Sequence, residues 1–228
     1  MITTIFLDLD DTLFSFQQAE QVALEETMRH YTLPYSDEIL ALYSAGNDAQ
    51  WKLLEQGKVQ RSEIGYRRFD LLLTHLGSDL DREEVNRYYM ERLSSCHFFL
   101  PGAEELLSAL HGRYTLCLAS NGTGWVQEGR LKSSGILPLL DRVFISEYLG
   151  ANKPQPGFFD ACFASLPGVK RSESLMLGDS LTSDMLGGKT AGMHTCWYNP
   201  NHLPLPTDGT VEYQIHRLPD LLPLLEKL

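Results

Sequence analysis

The sequence predicts an α/β protein whose core is a doubly wound parallel sheet and which carries an inserted all-helical segment. Three observations support this prediction. From residue 103 onward, short apolar runs alternate with segments of helical periodicity, as expected of a parallel sheet with crossover helices. The chain also opens on an apolar run, residues 2–9. Residues 17–95, which follow it, show helical periodicity without strand-like alternation.

Each element follows from its local pattern. The first run is apolar or β-branched almost throughout, which is typical of a strand buried on both faces. Leu33-Pro34 ends the first helix, and Asp81 with Glu84 three residues later predicts a capped helix start. The predicted strands are residues 2–9, 114–119, 143–145, 174–177, 194–198 and 211–215. The predicted helices are residues 17–31, 37–44, 48–56, 62–76, 81–95, 103–110, 125–133, 157–166, 182–191 and 218–225.

These elements divide the chain into two predicted domains. Residues 1–16 and 96–228 form the catalytic core, and residues 17–95 form a helical cap inserted between the first two strands. We expect the cap to select the substrate, because a mobile cover over the strand ends would contact the leaving group and exclude water.

The composition excludes several classes of partner. The 228 residues carry a formal net charge of -11, which disfavours binding to a nucleic-acid polymer or to an anionic membrane. A small phosphorylated substrate stays possible if a cation and a local Lys or Arg offset this charge. We expect a monomer or a homodimer.

The cysteines and the apolar segments bear on location. The four cysteines lie in mostly apolar surroundings without a CxxC pair, which favours reduced core thiols; they are Cys96, Cys117, Cys162 and Cys196. The chain opens directly on a core strand, and no apolar run approaches the ~18 residues of a transmembrane helix. We therefore expect a cytoplasmic protein.

Three carboxylates end the first apolar run. Because side chains alternate along a strand, Asp8 and Asp10 are expected to point the same way into the crevice at the carboxyl edge of the sheet. Such a pair is tolerated mainly if a cation lies between the carboxylates or if one of them carries a proton. Alternatively, Asp10 and Asp11 shape a turn or cap a helix. The motif by itself leaves both interpretations open.

Polar clusters follow the later strands as well. Ser120-Asn121-Gly122 follows the second strand, Lys153-Pro154 lies after the third, and the segment from Gly178-Asp179 to Asp184 follows the fourth. Each cluster has an alternative explanation as a turn, a solvated surface or a helix cap. A turn requires no particular neighbour, however, whereas a phosphate site requires such groups to converge.

In chain order, these four motifs resemble those of the haloacid dehalogenase superfamily of phosphohydrolases. The resemblance covers residues 1–184 and includes the helical insert, which stands where that family carries its type 1 cap. It implies a Rossmann-like core, a Mg²⁺ cofactor and an aspartyl-phosphate intermediate.

The resemblance also implies a role for each carboxylate. Asp8 is similar to the family's nucleophile, and Asp10 to its general acid and base. Mg²⁺ would be held by the carboxylates of Asp8 and Asp179 and by the backbone carbonyl of Asp10, since this ion prefers oxygen ligands. Asp184 is expected to support these ligands from behind rather than to touch the ion.

Ser120, the Asn121 backbone and Lys153 resemble the groups that bind the transferring phosphoryl group. The ammonium of Lys153 would also keep Asp8 ionised beside an incoming dianion. Dehalogenating members of the superfamily have no need of an acid at the position of Asp10. Its presence, together with Asp179, therefore favours cleavage of a phosphate ester.

The whole chain is most similar to the bacterial pyrimidine 5′-nucleotidases of the superfamily, which implies a nucleoside monophosphate such as dUMP, UMP or dTMP as substrate. Phosphatases or mutases that act on phosphoglycolate or sugar phosphates are the alternatives within the superfamily. A regulatory module phosphorylated on Asp8 is an alternative of another class, which the large cap and Asp10 disfavour.

Overall fold

The core of the protein is a six-stranded parallel sheet. The structure is a computed structural model that describes all 228 residues. Its strands are β1 (Thr4–Leu7), β2 (Thr115–Ser120), β3 (Arg142–Ile145), β4 (Ser174–Gly178), β5 (His194–Tyr198) and β6 (Tyr213–Ile215). They lie in the order β3-β2-β1-β4-β5-β6, and every neighbouring pair is parallel. The predicted α/β class with a parallel sheet is confirmed.

Ten α-helices accompany the sheet. The first four are α1 (Phe16–His30), α2 (Asp37–Glu55), α3 (Arg61–His75) and α4 (Arg82–Leu93). The other six are α5 (Ala103–Leu110), α6 (Gly124–Ser134), α7 (Ser146–Leu149), α8 (Pro156–Ala164), α9 (Leu186–Thr190) and α10 (Leu221–Leu225). None of them is long and apolar enough to span a membrane. All four cysteines are buried and free.

Strand β1 is buried on both faces because its apolar side chains alternate between two clusters. Ile5 and Leu7 pack into a cluster on one face of the sheet, together with Leu118 and Leu175. Phe6 packs into the cluster on the other face, with its ring 6.0 Å from that of Phe144. This arrangement explains why the strand is continuously apolar instead of alternating with polar residues.

The connectivity creates a crevice beside β1. After β1 the chain continues to β2 and β3 on one side, and it then crosses to β4, β5 and β6 on the other. Strand β1 therefore lies between β2 and β4, where the winding direction reverses. In open parallel sheets, ligands bind at the carboxyl edge of such a switch point.

The chain divides into two compact units. One comprises Met1–Phe16 and His97–Leu228, which include the sheet, and the other comprises Gln17–Cys96, which is helical. In the helical unit the rings of Tyr43, Phe69 and Tyr89 pack at 5.1–5.5 Å. Trp51 and Tyr88 are partly buried, and Tyr66 is exposed, so these aromatic residues are not all core residues.

The predicted break between helices at residues 44 and 48 is wrong, because α2 is continuous through Gly46 and Asn47. Tertiary contacts explain the difference. Gly46 faces α3, where a Cβ atom would lie 2.9 Å from Leu71 Cδ2, the end of an exposed side chain. The Asn47 side chain is buried and bonds both Glu20 and Arg68. Two residues that usually end helices therefore serve packing here.

Two other predicted helices contain turns of a different kind. The segment after β4 begins with a π-helical turn, Leu181–Met185, and only then continues as α9. The last predicted helix begins as a 3₁₀ turn, Leu218–Asp220, before α10. The π-helical turn matters for the site, because it carries Asp184.

Candidate active site

The predicted site residues of the sheet lie at its carboxyl edge. Asp8 directly follows β1, Ser120 is the last residue of β2, and Asp179 directly follows β4. Since β2 and β4 flank β1, these three residues stand side by side at the switch point. Parallel pairing thus brings together positions that are far apart in sequence.

Lys153 lies at the centre of this edge and is almost fully buried, with 1% of its surface exposed. Its ammonium donates to Asp8 Oδ1 at 2.6 Å, to Asp184 Oδ1 at 2.6 Å and to the carbonyl of Ala119 at 2.5 Å. These three bonds use all three hydrogens of the group. Lys153 therefore contributes its charge to the site from a fixed position.

The carboxylates of Asp8, Asp179 and Asp184 form a cluster whose oxygens lie within 4.8 Å of one another. Three carboxylates against one ammonium leave an excess of two negative charges. All potential ligand atoms are oxygens, which suit a hard divalent cation such as Mg²⁺. The donor set and the charge of this cluster both fit the predicted ion.

Burial and mutual repulsion shift the protonation of these groups. Burial raises the pKa of Asp8 from 3.8 to about 7; Lys153 opposes the rise, and the charges of Asp184 and Asp10 add to it. Burial also raises the pKa of Asp179 well above its usual value, with Asp8 as the next contributor. Burial works against the charge of Lys153, yet Asp184 and Asp8 outweigh it and raise the pKa of the ammonium. The lysine is thus charged, while the acids require a further cation to be ionised together.

Asp10 and Asp11 occupy a tight turn after β1, where they serve different purposes. Asp11 adopts the left-handed conformation with φ of 56°, and its Oδ1 accepts a hydrogen bond from Phe16 N at 2.9 Å at the start of α1. The interpretation as a turn and cap residue therefore holds for Asp11. Asp10 instead contacts α6, where its carboxylate accepts hydrogen bonds from Gln127 and Arg130. The Asp10 carboxylate lies outside the cluster of three acids.

Ser120 and Asn121 follow β2 and contact different partners. Ser120 Oγ accepts hydrogen bonds from Gly122 N at 3.0 Å and from Gln127 Nε2 at 2.9 Å. The Asn121 side chain forms a reciprocal pair with the backbone of Lys153, through bonds of 2.8 and 2.9 Å. Asn121 therefore fixes the loop that carries the buried lysine, in addition to its predicted backbone role.

Asp184 reaches the cluster from the π-helical turn Leu181–Met185. Its Oδ2 accepts a hydrogen bond from Ser180 N at 3.1 Å, while its Oδ1 accepts the bond from Lys153. A Cβ atom on Gly178 would lie 2.2 Å from Asp184 Oδ2, so glycine at the end of β4 makes room for this carboxylate. On the other side of the cluster, Thr12 Oγ1 lies 3.4 Å from Asp179 Oδ1 and donates to it.

Two residues at the site, Gln127 and Arg130, were not expected from the sequence. Each is 1% exposed on α6, although glutamine and arginine usually lie at the surface. The signal available in the sequence was their spacing of three residues among the apolar positions of this helix, directly after the Ser120 cluster. That spacing alone does not separate a buried polar pair from a solvated one.

Comparison with known proteins places this geometry in a family. The model of the haloacid dehalogenase-like hydrolase family matches residues 2–192. The pyrimidine 5′-nucleotidase PynA of Streptococcus pneumoniae is 37% identical over 98% of this chain and 94% of its own length. The pyrimidine 5′-nucleotidase YjjG of Escherichia coli is 30% identical over 98% of this chain and 97% of its own.

A solved structure agrees with these relatives. The putative HAD-hydrolase YfnB of Bacillus subtilis, whose crystal structure was determined bound to magnesium, has a TM-score of 0.93. It shares 33% identity and covers 98% of both chains. The nucleotidase relatives support the predicted phosphoric monoester hydrolase. Four motifs at one sheet edge, the matching family model and these relatives lead to one conclusion: the chain belongs to the haloacid dehalogenase-like hydrolase family.

Proposed function

We propose that the protein is a Mg²⁺-dependent phosphomonoester hydrolase that acts through an aspartyl phosphate on Asp8, and that it cleaves pyrimidine nucleoside 5′-monophosphates. The observation that carries the chemistry is the cluster of Asp8, Asp179 and Asp184, in which the buried Lys153 pairs with Asp8 and Asp184. The substrate class rests on the nucleotidase relatives, one of which is 37% identical to this chain.

Asp8 is suited to attack phosphorus. Lys153 holds Asp8 Oδ1, which leaves Asp8 Oδ2 as the oxygen that forms the new bond to phosphorus. The bond from phosphorus to the ester oxygen then breaks, and the leaving alkoxide takes a proton from Asp10. A carboxylate requires no base for this attack once it is ionised.

In the second half of the reaction, Asp10 removes a proton from water, which attacks the phosphorus of the intermediate. The bond between phosphorus and Asp8 breaks, and inorganic phosphate leaves. In the structure, Asp10 accepts hydrogen bonds through both of its oxygens. Each carboxylate oxygen has a second lone pair, so these two bonds leave a position at which Asp10 can carry the transferred proton.

The phosphoryl group carries negative charge that the site has to balance. Ser120 would donate its hydroxyl hydrogen to a phosphoryl oxygen, and Lys153 would supply positive charge from behind Asp8. The Asn121 backbone is the remaining proposed phosphate contact. Mg²⁺ would be held by Asp8, Asp179 and the backbone carbonyl of Asp10, with Asp184 as a supporting group, and would offset charge on the phosphoryl oxygens.

The helical unit Gln17–Cys96 is proposed to select the leaving group. It is a separate compact unit inserted in the chain between β1 and β2, and selection by such an insert leaves the chemistry of the sheet edge unchanged. This proposal concerns specificity, and the assignment of Asp8 and Asp10 does not depend on it.

The test is a kinetic screen of phosphate release with Mg²⁺ over nucleoside, sugar and two-carbon monophosphates. We expect kcat/KM for dUMP, UMP or dTMP to exceed that for the sugar phosphates by at least about 10-fold. Comparable values for all substrates would contradict the nucleotidase assignment. A single stoichiometric phosphorylation without turnover would instead indicate a regulatory module.

A further inference from the structure

Gln127 connects the two halves of the proposed site. Its amide nitrogen donates to Asp10 Oδ2 at 2.6 Å and to Ser120 Oγ at 2.9 Å, while its amide oxygen accepts from Arg130 Nη1 at 3.0 Å. One side chain thus contacts the proposed acid and base as well as the proposed phosphate donor. The donor Arg130 on one side and the two acceptors, Asp10 and Ser120, on the other define the orientation of the amide.

The contact with Ser120 determines what its hydroxyl group can do. A serine hydroxyl has one hydrogen to donate and two lone pairs that accept. Both lone pairs of Ser120 are used, by Gly122 N and by Gln127 Nε2. The hydrogen is therefore the part that remains to be donated, and a phosphoryl oxygen is an acceptor without hydrogens of its own.

The contacts with Asp10 hold both of its oxygens. Gln127 donates to Asp10 Oδ2, and Arg130 donates to Asp10 Oδ1. Arg130 is 1% exposed, and its guanidinium carbon lies 5.5 Å from the centre of the Phe14 ring. Because both donors are buried and packed, they fix the plane of the carboxylate as well as its position.

The backbone at Gly122 provides independent support for the position of the Gln127 amide. A Cβ atom on Gly122 would lie 2.2 Å from Gln127 Nε2 and 2.5 Å from its Cδ. The glycine in the loop after β2 therefore leaves space that the Gln127 amide fills. A glutamine that only covered the helix surface would impose no such requirement on this loop.

We propose that Gln127 and Arg130 are positioning residues: together they orient the Asp10 carboxylate, and Gln127 also directs the hydroxyl hydrogen of Ser120 toward the phosphoryl group. This inference rests on the proposed function, because the roles of Asp10 as acid and base and of Ser120 as phosphate donor are part of that proposal. Gln127 and Arg130 act through Asp10 or Ser120, and neither is assigned a contact with the substrate.

The first test is Gln127→Glu, which keeps the size of the side chain and an acceptor for Arg130. It replaces the amide donors with oxygen, so Ser120 would donate to residue 127 and Asp10 would face a like charge. We expect kcat for an alkyl monophosphate to fall by about 10²-fold. We also expect the affinity for inorganic phosphate with Mg²⁺, measured by calorimetry, to fall by at least about 10-fold. Unchanged kcat and unchanged phosphate affinity would overturn the proposal.

The second test is Gln127→Met in the wild-type and Asp10→Asn backgrounds, with p-nitrophenyl phosphate as substrate. If Gln127 acts through Asp10, its loss should lower kcat by at least about 10-fold in the wild type but by less than about 3-fold when Asp10 is already replaced. Equal factors in both backgrounds would overturn the part of the proposal in which Gln127 acts through Asp10. If Gln127→Met does not fold, the glutamate variant in the same two backgrounds supplies the comparison.

Glu128→Gln is the matched control, because Glu128 is the exposed neighbour on the same helix. It should retain wild-type kinetics and phosphate affinity. The phosphate measurement also separates this proposal from the hydrolase assignment. A wild-type protein that binds phosphate without hydrolysing any ester would contradict the proposed function, whereas weaker phosphate binding by Gln127→Glu would still support the positioning role.

Discussion

Lys153 balances the charge of the proposed active site. It is the one cation bonded to the acid cluster, through Asp8 and Asp184, and it is almost completely buried. A buried ion pair is weak evidence for net stability, since desolvation opposes the attraction between the charges. Removal of one partner is nevertheless costly, because it leaves the other charges buried without compensation.

Lys153→Met should therefore impair both stability and turnover. We expect the free energy of unfolding, measured with urea, to fall by about 3–5 kcal/mol. We expect kcat to fall by at least about 10²-fold, because the charge opposite the phosphoryl group is lost. Lys170→Met is the control, since Lys170 pairs with Glu173 on the surface and should change neither quantity measurably. Wild-type kcat in Lys153→Met would exclude the proposed role of the ammonium.

At the scale of elements, the ends of strands and the turn after β4 position the site. The π-helical turn Leu181–Met185 carries Asp184 toward Lys153, and Gly178 at the end of β4 leaves space for the Asp184 carboxylate. A π-helical turn is rare and often occurs at functional sites. Here its effect is local, since it places one carboxylate in the cluster.

Gly178→Ala should displace that carboxylate. The added methyl group would meet Asp184 Oδ2 at 2.2 Å, and Asp184 cannot move without losing its bonds to Lys153 and Ser180. We expect a loss of about 1–3 kcal/mol in unfolding free energy and weaker binding of Mg²⁺ by calorimetry.

Gly157→Ala provides the comparison for this substitution. A Cβ atom at Gly157 meets only Ala151 Cβ, at an ordinary distance of 3.5 Å, within helix α8. Alanine there should be neutral or stabilising, by up to about 1 kcal/mol. Equal effects of the two substitutions would mean that the crowding at Asp184 is unimportant.

An element can be predicted from the sequence when local residues determine it, and it cannot when contacts with residues far away in the chain determine it. The strand ends were predictable, because a buried apolar run followed by Asp8, Ser120 or Asp179 is a local pattern, and the structure brings these residues together. The continuity of α2 was not predictable, because the buried Asn47 side chain is held by Glu20 and Arg68 from other helices. Local propensity does not contain that information.

The same limit applies within the site. Lys153 was predictable from its motif, although its bond to the Ala119 carbonyl was not. Gln127 was not predicted, because its amide finds its hydrogen-bond acceptors only in the folded protein. There β1 and β2 bring Asp10 and Ser120 to the same face of the helix. A polar residue in a helix looks the same in sequence whether it is buried or solvated.

At the scale of the whole molecule, ion binding should be linked to stability. The pKa of Asp8 is raised from 3.8 to about 7, mainly by burial. Between these values the folded, ion-free protein binds a proton that the unfolded chain does not. The stability of the ion-free protein should therefore fall as the pH rises through this range.

Mg²⁺ competes with this proton, so its stabilising effect should depend on pH. We expect the increase in Tm on addition of Mg²⁺ to be larger at about pH 8 than at about pH 5, because the ion displaces no proton from Asp8 at the higher pH. Thermal unfolding of the whole chain, with EDTA and with Mg²⁺ at both pH values, measures this increase in Tm. Asp8→Asn should reduce this pH dependence. An increase in Tm that is the same at both pH values would contradict the assignment of Asp8 as a ligand.

The account depends above all on a covalent bond between phosphorus and Asp8, and chemical trapping tests this directly. The enzyme is mixed with substrate and Mg²⁺, quenched in acid within the first turnover and reduced with borohydride, which converts an acyl phosphate to an alcohol. Peptide mass spectrometry should then find homoserine at position 8 in the wild type and in Asp160→Asn, a control at an exposed surface pair. Homoserine at another position, or rapid turnover by Asp8→Asn, would contradict the account.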